Sequence, residues 1–159
     1  MALPRPLFTR YSKLTITTGV DPDTVSTSYE CSTTTAGITA AGGDLVSQNT
    51  QCPDGTFAET TPRTKSLTLT GVQDVETDEP DNLMIFCDEH VGETVELEWY
   101  PKTDADKAPV GFGWKGTAIV GAPSQIGNGD IGAYATFDVV FPFQGKPVRI
   151  DAAGLPVAA

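Results

Sequence analysis

The sequence encodes a mainly β fold, an antiparallel sandwich or barrel flanked by one α-helix. Three observations lead there. Apolar residues recur with period two along most of the chain, whereas a helical period appears once, between Leu83 and His90. The 159 residues include 16 glycines and 12 prolines, which interrupt helices and supply turns. A chain of this length buries about two thirds of its unfolded surface around one core. Residues 1–159 are therefore expected to form a single domain, with an N-terminal arm at 1–11 and a loop or hairpin excursion at 21–64.

MALPRPLFTR is Pro-rich and reads as an extended arm, because each proline restricts itself and its predecessor to extended conformations. Lys13 to Val20 is a strand with Leu14 and Ile16 on one side and Lys13, Thr15 and Thr17 on the other. Asp21, Pro22 and Asp23 turn the chain. From Thr24 to Thr61 large apolar residues are scarce, yet Val25, Thr27, Tyr29 and Cys31 alternate as in a strand. AAGGD (Ala40 to Asp44) and CPDGT (Cys52 to Thr56) carry turn chemistry, so the excursion bends at both, with Leu45 and Val46 the large apolar pair between them. KSLTLTG (Lys65 to Gly71) is again a strand.

Leu83, Phe86, Cys87 and His90 share one face of a short helix. Asp81 or Thr77 is its expected N-cap, Asp78 and Glu79 suit the positive end of its dipole, and Gly92 follows its end. Val95, Leu97 and Trp99 then alternate with Thr94, Glu96, Glu98 and Tyr100, the pattern of a half-buried strand. After a polar loop come the strand Trp114 to Gly121, a turn region, and the longest alternating run. There Ile131, Ala133, Ala135, Phe137, Val139, Phe141 and Phe143 face one way, and Tyr134, Thr136 and Asp138 the other. Val148 to Ile150 is a last short strand, and DAAGLPVAA is expected to remain unpacked.

The chain carries 10 basic and 21 acidic residues, a net charge of −11. Residues 1 to 20 hold Arg5, Arg10 and Lys13 and no acid, whereas twelve acids between Gly71 and Asp106 face Lys102 alone. Such a surface does not neutralise phosphates, which disfavours tight nucleic-acid binding; it suits a wall past which DNA slides, or simply a solvated acidic face. The N-terminal residues show no secretory h-region and no run has transmembrane length, so the product is expected to be made and kept in a cytoplasm, off the membrane. Cys31, Cys52 and Cys87 are an odd count at irregular spacing, which argues against a disulfide framework.

No motif carries chemistry. Gly127 to Gly132 matches G-x-G-x-x-G, but a strand follows it instead of a helix, so it reads as a hairpin loop and no cofactor is expected. Cys87 and His90 make C-x-x-H on the helix's apolar stripe, and neither Cys31 nor Cys52 belongs to a paired knuckle, so no metal is expected. His90 is the sole histidine, no G-x-S-x-G surrounds a serine, and the carboxylate pairs Asp21/Asp23, Glu96/Glu98 and Asp104/Asp106 lack convergent partners. An enzyme is not expected. Trp99, Trp114, Tyr100 and Phe112 either form a binding patch or, with Trp99 in the core, divide between core and subunit contacts.

KSLTLTGVQD (Lys65 to Asp74), NLMIFCDEHVGETVELEWYP (Asn82 to Pro101) and WKGTAIVGAPSQIGNGDIGAYATFDVVFPFQGKP (Trp114 to Pro147), with a weaker contribution from SYECSTTTAGITAAGGD (Ser28 to Asp44), together resemble the major tail protein, or tail tube protein, of long-tailed non-contractile bacteriophages. The resemblance implies a β-sandwich flanked by a helix, hexameric rings stacked into a tube through which DNA passes without specific binding, and contacts with tape-measure and tail terminator proteins. It places the chain in the virion tail, assembled in the host cytoplasm. Glu96 and Glu98 are then expected to face the lumen. The arm and the excursion are expected to make assembly contacts, with Arg5, Arg10, Tyr29 and Leu45 as candidate residues. The alternatives are a capsid decoration or head-tail completion protein and, in a different class, an immunoglobulin-like binding module.

Overall fold

The computed structural model describes residues 12–19, 23–29, 33–43, 45–49, 56–60, 63–127 and 134–158, with side chains left aside for 45–49 and 56–60. Its elements are β1 (Lys13–Thr18), β2 (Val25–Ser28), β3 (Thr33–Ala41), β4 (Leu45–Asn49), β5 (Thr56–Thr60), β6 (Thr64–Val72), α1 (Leu83–Glu89), β7 (Thr94–Tyr100), β8 (Gly113–Ile119), β9 (Thr136–Pro142) and β10 (Val148–Ile150). They form a five-stranded sheet in the order β10-β8-β7-β1-β2, a three-stranded sheet β3-β6-β9 and a two-stranded sheet β4-β5. Every ladder is antiparallel. The mainly β fold with one short helix is as the sequence predicts.

Each large sheet is apolar on one face, and the two faces bury each other. Leu14 and Ile16 on β1 and Val95, Leu97 and Trp99 on β7 meet Leu67 and Leu69 on β6 and Phe137, Val139 and Phe141 on β9, all within one core cluster. Side chains of this kind contribute about 1.5–3 kcal/mol each when fully buried. At one corner the sheets join: Ala118 of β8 bridges Phe143, and the Gln144 N–H donates to the Thr117 carbonyl at 2.8 Å. Of the long alternating run, Ile131 and Ala133 lie outside the described residues, Phe137, Val139, Phe141 and Phe143 point inward, and Tyr134 is fully out in solvent.

The excursion contains β2, which pairs with β1, and then β3, β4 and β5, and the β3/β6 and β4/β5 ladders share one register. Ala41 faces Thr64 and Leu45 faces Thr60, four residues further along both strands. The pairs β3/β6 and β4/β5 are thus successive sections of one long hairpin, interrupted where Gly42 and Gly43 take φ of 80° and 82°. The expected bend at AAGGD falls at this interruption, and that at CPDGT lies between β4 and β5, mostly outside the described residues.

Helix α1 packs Leu83, Met84, Phe86 and Cys87 into the core. Its cap differs from expectation: Asn82, not Asp81 or Thr77, is the N-cap, and no acid lies in its first turn. The Asn82 Oδ1 accepts from the N–H groups of Met84 and Ile85 at 3.1 and 3.2 Å, while its Nδ2 donates to the carbonyls of Asp74 and Thr77 at 2.8 and 2.7 Å. An amide has both an acceptor and two donors, which neither a carboxylate nor a hydroxyl at this position supplies. Asn82 therefore joins the helix to the acidic loop before it. The helix ends at His90 and Gly92 turns the chain at φ 84°.

Three further expectations are corrected. Tyr100, expected on the polar face of its strand, is buried because residues after β10 cover that end of the sheet; its hydroxyl donates to the Asp151 carbonyl at 2.8 Å. Consequently the tail is not unpacked: the Ala153 and Leu155 N–H groups donate to Asp151 Oδ1, and Ile150 bridges Pro156. Tyr29, expected at an assembly contact, is 2% exposed, with its hydroxyl donating to the Pro80 carbonyl at 2.7 Å and its ring 6.2 Å from Phe86. It is occupied within its own chain.

Replacing Asn82 removes a helix cap and unties two part-buried carbonyls, so Asn82→Ala should cost about 1–2 kcal/mol in urea unfolding. A loss below about 0.5 kcal/mol would show that water replaces the side chain and that the cap is dispensable.

Candidate functional site

Among the sequence-predicted residues, Glu96 and Glu98 come together on the solvent face of the five-stranded sheet. Strand alternation puts them there, since Val95, Leu97 and Trp99 occupy the core face of β7. Cross-strand register builds two rows around them. Ser28, Thr15, Glu98, Lys115 and Val148 lie abreast in one row, and Ser26, Thr17, Glu96 and Thr117 in the next. Hydroxyl pairs link the strands, Thr15 to Ser28 at 3.1 Å and Thr17 to Ser26 at 2.7 Å, and the Thr117 hydroxyl donates to Glu96 at 3.1 Å. The surface is a hydroxyl-rich sheet face carrying two carboxylates. Sequence reading found the carboxylates through period two; it missed their Ser and Thr neighbours, which only the register of three separate strands assembles.

Of the candidate assembly residues, Arg5 and Arg10 lie outside the described residues, as does the Leu45 side chain, and Tyr29 is in the core. The four aromatics around the 101–113 loop divide. Trp99 is 6% exposed and stacks on half-buried Trp114 at 5.8 Å, Tyr100 is buried, and Phe112 is exposed beneath the Arg149 guanidinium at 4.8 Å. Gly113 permits this arrangement: a Cβ there would lie 2.6 Å from the Tyr100 ring and 2.7 Å from the Trp99 carbonyl.

Cys87 and His90 also separate. Cys87 is fully buried, and burial pushes its thiol up to about 12, so it behaves as a small hydrophobe. Cys31 and Cys52 lie outside the described residues, and among those described no group of three or more His, Cys, Asp or Glu side chains could hold a metal. His90 stacks on Phe86 at 4.7 Å and sits between two carboxylates: Nδ1 is 2.9 Å from Glu93, and Nε2 is 3.1 Å from the nearer oxygen of Glu79. Its pKa is raised above 6.5, chiefly by the hydrogen bond to Glu93 and then by Glu79, against the opposing effect of burial. Asp104 is occupied in a loop, its Oδ1 accepting from the N–H groups of Asp106 and Ala108 at 2.9 Å.

A related architecture occurs in a solved structure. A chain of the six-fold symmetrised cryo-EM structure of the anti-feeding prophage baseplate matches with a TM-score of 0.55 at 12% identity, covering 94% of this chain and 99% of that one. A chain from the C6-symmetric tail of an empty GTA particle gives 0.48 at 16% identity over 84% and 92% of the two chains. One from the anti-feeding prophage tube-terminating cap gives 0.48 at 13% identity over 95% of each. No family model and no curated protein matches the sequence. The baseplate comparison extends over nearly the whole of both chains and shows a shared fold.

The His90 cluster makes stability depend on pH. A folded pKa above the unfolded value stabilises fully below 6.5, and the contribution disappears as pH rises through the folded value. His90→Gln should therefore lower the urea midpoint more at about pH 6 than at about pH 9. An equal drop at both would show that the ring contributes by packing on Phe86 and not by its charge.

Proposed function

We propose that this chain is a structural subunit of a phage tail or tail-like particle, and specifically a tail tube subunit that forms hexameric rings stacked into a conduit for DNA. The observation that carries the reading is the end-to-end fold match with a chain of the anti-feeding prophage baseplate, a six-fold symmetrised assembly. The hydroxyl and carboxylate face around Glu96 and Glu98 supports it, because repelled phosphate does not adhere to a wall of that sign. The long hairpin from β3 to β6 and the arm at 1–11 are the proposed contacts to neighbouring subunits and rings, and tape-measure and terminator proteins the proposed partners. One tail-tube-like domain without catalytic activity suffices for this role, carried out in a virion assembled in the host cytoplasm.

A second reading has its own support. The fold match with a TM-score of 0.55 is to a baseplate chain, so a ring-forming completion protein at one end of a tail is the runner-up. Assembly distinguishes them, since a tube subunit stacks without limit and a completion protein stops at one ring.

Electron microscopy of the concentrated protein should show stacked six-fold rings. Single rings would select the completion protein, and a persistent monomer would overturn both. Within tubes, a map with both Glu96 and Glu98 on the exterior would sink the lumen assignment. Deleting residues 1–10 should weaken assembly, and unchanged tubes would remove the arm from the proposed contacts.

A further inference from the structure

Half of the described lysines and arginines, in a chain of net charge −11, gather in one groove. Two adjoining clefts that share Lys65 and Trp114 make it up. One is also lined by Arg63 and Trp99 and lies between the sheets where β6 begins; the other is also lined by Lys146 and Arg149. Among the described residues no acidic side chain lines either cleft, and none of the four cations is ion-paired. The Trp99 Nε1–H is buried at the wall without an acceptor. Four cations without a carboxylate partner among the described residues, Arg149 resting on the Phe112 ring, together with two indoles and an orphaned donor, describe a receptor for an acidic segment with an apolar side chain.

The chain itself carries such a segment. Asp74 to Asp81 holds five carboxylates, and Val75 among them is 78% exposed. The loop is held in shape before any contact: Asp74 Oδ1 accepts from the Glu76 and Thr77 N–H groups, and Asn82 ties down the carbonyls of Asp74 and Thr77. Hydrogen bonds from Thr77 and Glu76 also keep the Asp74 carboxyl below its ordinary range. Groove and loop cannot meet within one subunit. Lys65 stands at the start of β6 and Asp74 just past its end at Val72, which separates them by roughly 30 Å at about 3.3 Å per residue.

We infer that the groove formed by Arg63, Lys65, Lys146 and Arg149 around Trp99 and Trp114 receives the acidic loop 74–81 of a second copy of this chain. Opposite poles of one strand make the contact head to tail, the heterologous kind that closes into rings or propagates as a filament. The inference rests on the reading of the chain as a self-assembling subunit and names the surfaces that join. A nucleic-acid strand is the competing occupant of a basic groove with aromatic walls. The net charge and the acidic loop both disfavour it, since the same molecule would repel phosphate over most of its surface.

Charge reversal tests the pairing in the full chain. The groove variant Lys65→Glu/Arg149→Glu and the loop variant Glu76→Lys/Asp78→Lys should each self-associate at least about tenfold more weakly than wild type in sedimentation velocity at low salt. Mixed one to one they should recover assembly, because each supplies the complement the other lacks; that recovery also shows that both are folded. Undiminished association of either variant, no recovery on mixing, or a wild-type chain that stays monomeric would each overturn the inference. So would wild-type binding of a labelled single-stranded oligonucleotide that the groove variant alone loses. Rings that form regardless of the reversals would reject the groove yet keep the tube reading; non-ring oligomers that the reversals abolish and mixing restores would do the opposite.

Discussion

Each large sheet has a single apolar face, and no element other than the opposite sheet is wide enough to cover it. Most of the architecture obeys that constraint. Leu67 and Leu69 must face Leu14 and Leu97, so β6 and β7 lie in different layers although only the loop and α1 separate them in sequence. A one-residue slip of β7 would turn Glu96 and Glu98 inward and Leu97 outward, so burial also enforces register. The outward faces are polar as a consequence, and their chemistry is set by whatever alternates with the core residues. Glu96 and Glu98 share a surface because Val95, Leu97 and Trp99 share a core.

Where the two sheets stop covering each other, other devices take over. At the β10 side, residues 151–157 fold back over Tyr100 and Ile150, supplying apolar cover that the sheet order alone does not. At the β2 side, α1 and Tyr29 close the core through Phe86. Asn82 then sets where that helix begins and holds the loop before it, so one buried amide links core packing to the form of an exposed acidic segment. The long hairpin needs no such cover: after Ala36 and Ile38, which pack on the core, it continues in the same register with its own ladder as β4 and β5.

Much of this was legible in the residues and some was not, for physical reasons. Period two identified β1, β6, β7 and β9 because their core positions are large and apolar, which makes the two faces unequal. It could not pair TTTAGITAA with β6, since Thr and Ala differ little in what burial gains them and many registers serve equally. The helix was visible from its stripe, but the expected caps Asp81 and Thr77 and the actual one, Asn82, lie within six residues and differ only in where the backbone enters the first turn. Tyr29 was misassigned because its partner, the Pro80 carbonyl, lies 51 residues away. The groove was invisible for a similar reason: Arg63 and Lys65 reach Lys146 and Arg149 only once β6 and β10 are folded into different sheets.

The acidity, finally, is not one property. On the sheet face Glu98 lies opposite Lys115, so its field is partly cancelled at short range, whereas Glu96 lies between Thr17 and Thr117 with no cation in its row. A lumen built from this face would owe its sign to Glu96 more than to Glu98, with repetition around a ring supplying the charge density that one subunit lacks. The loop at 74–81 is different in kind: its carboxylates are crowded, shaped by Asn82 and set at the opposite pole of β6 from the main group of cations. Crowded like charge costs energy in an isolated subunit, and opposite charge brought alongside by another copy relieves it. In the proposed tube the same net charge of −11 would serve two ends: dispersed acids would keep a passing polyanion off the wall, and concentrated ones would give the subunit a direction.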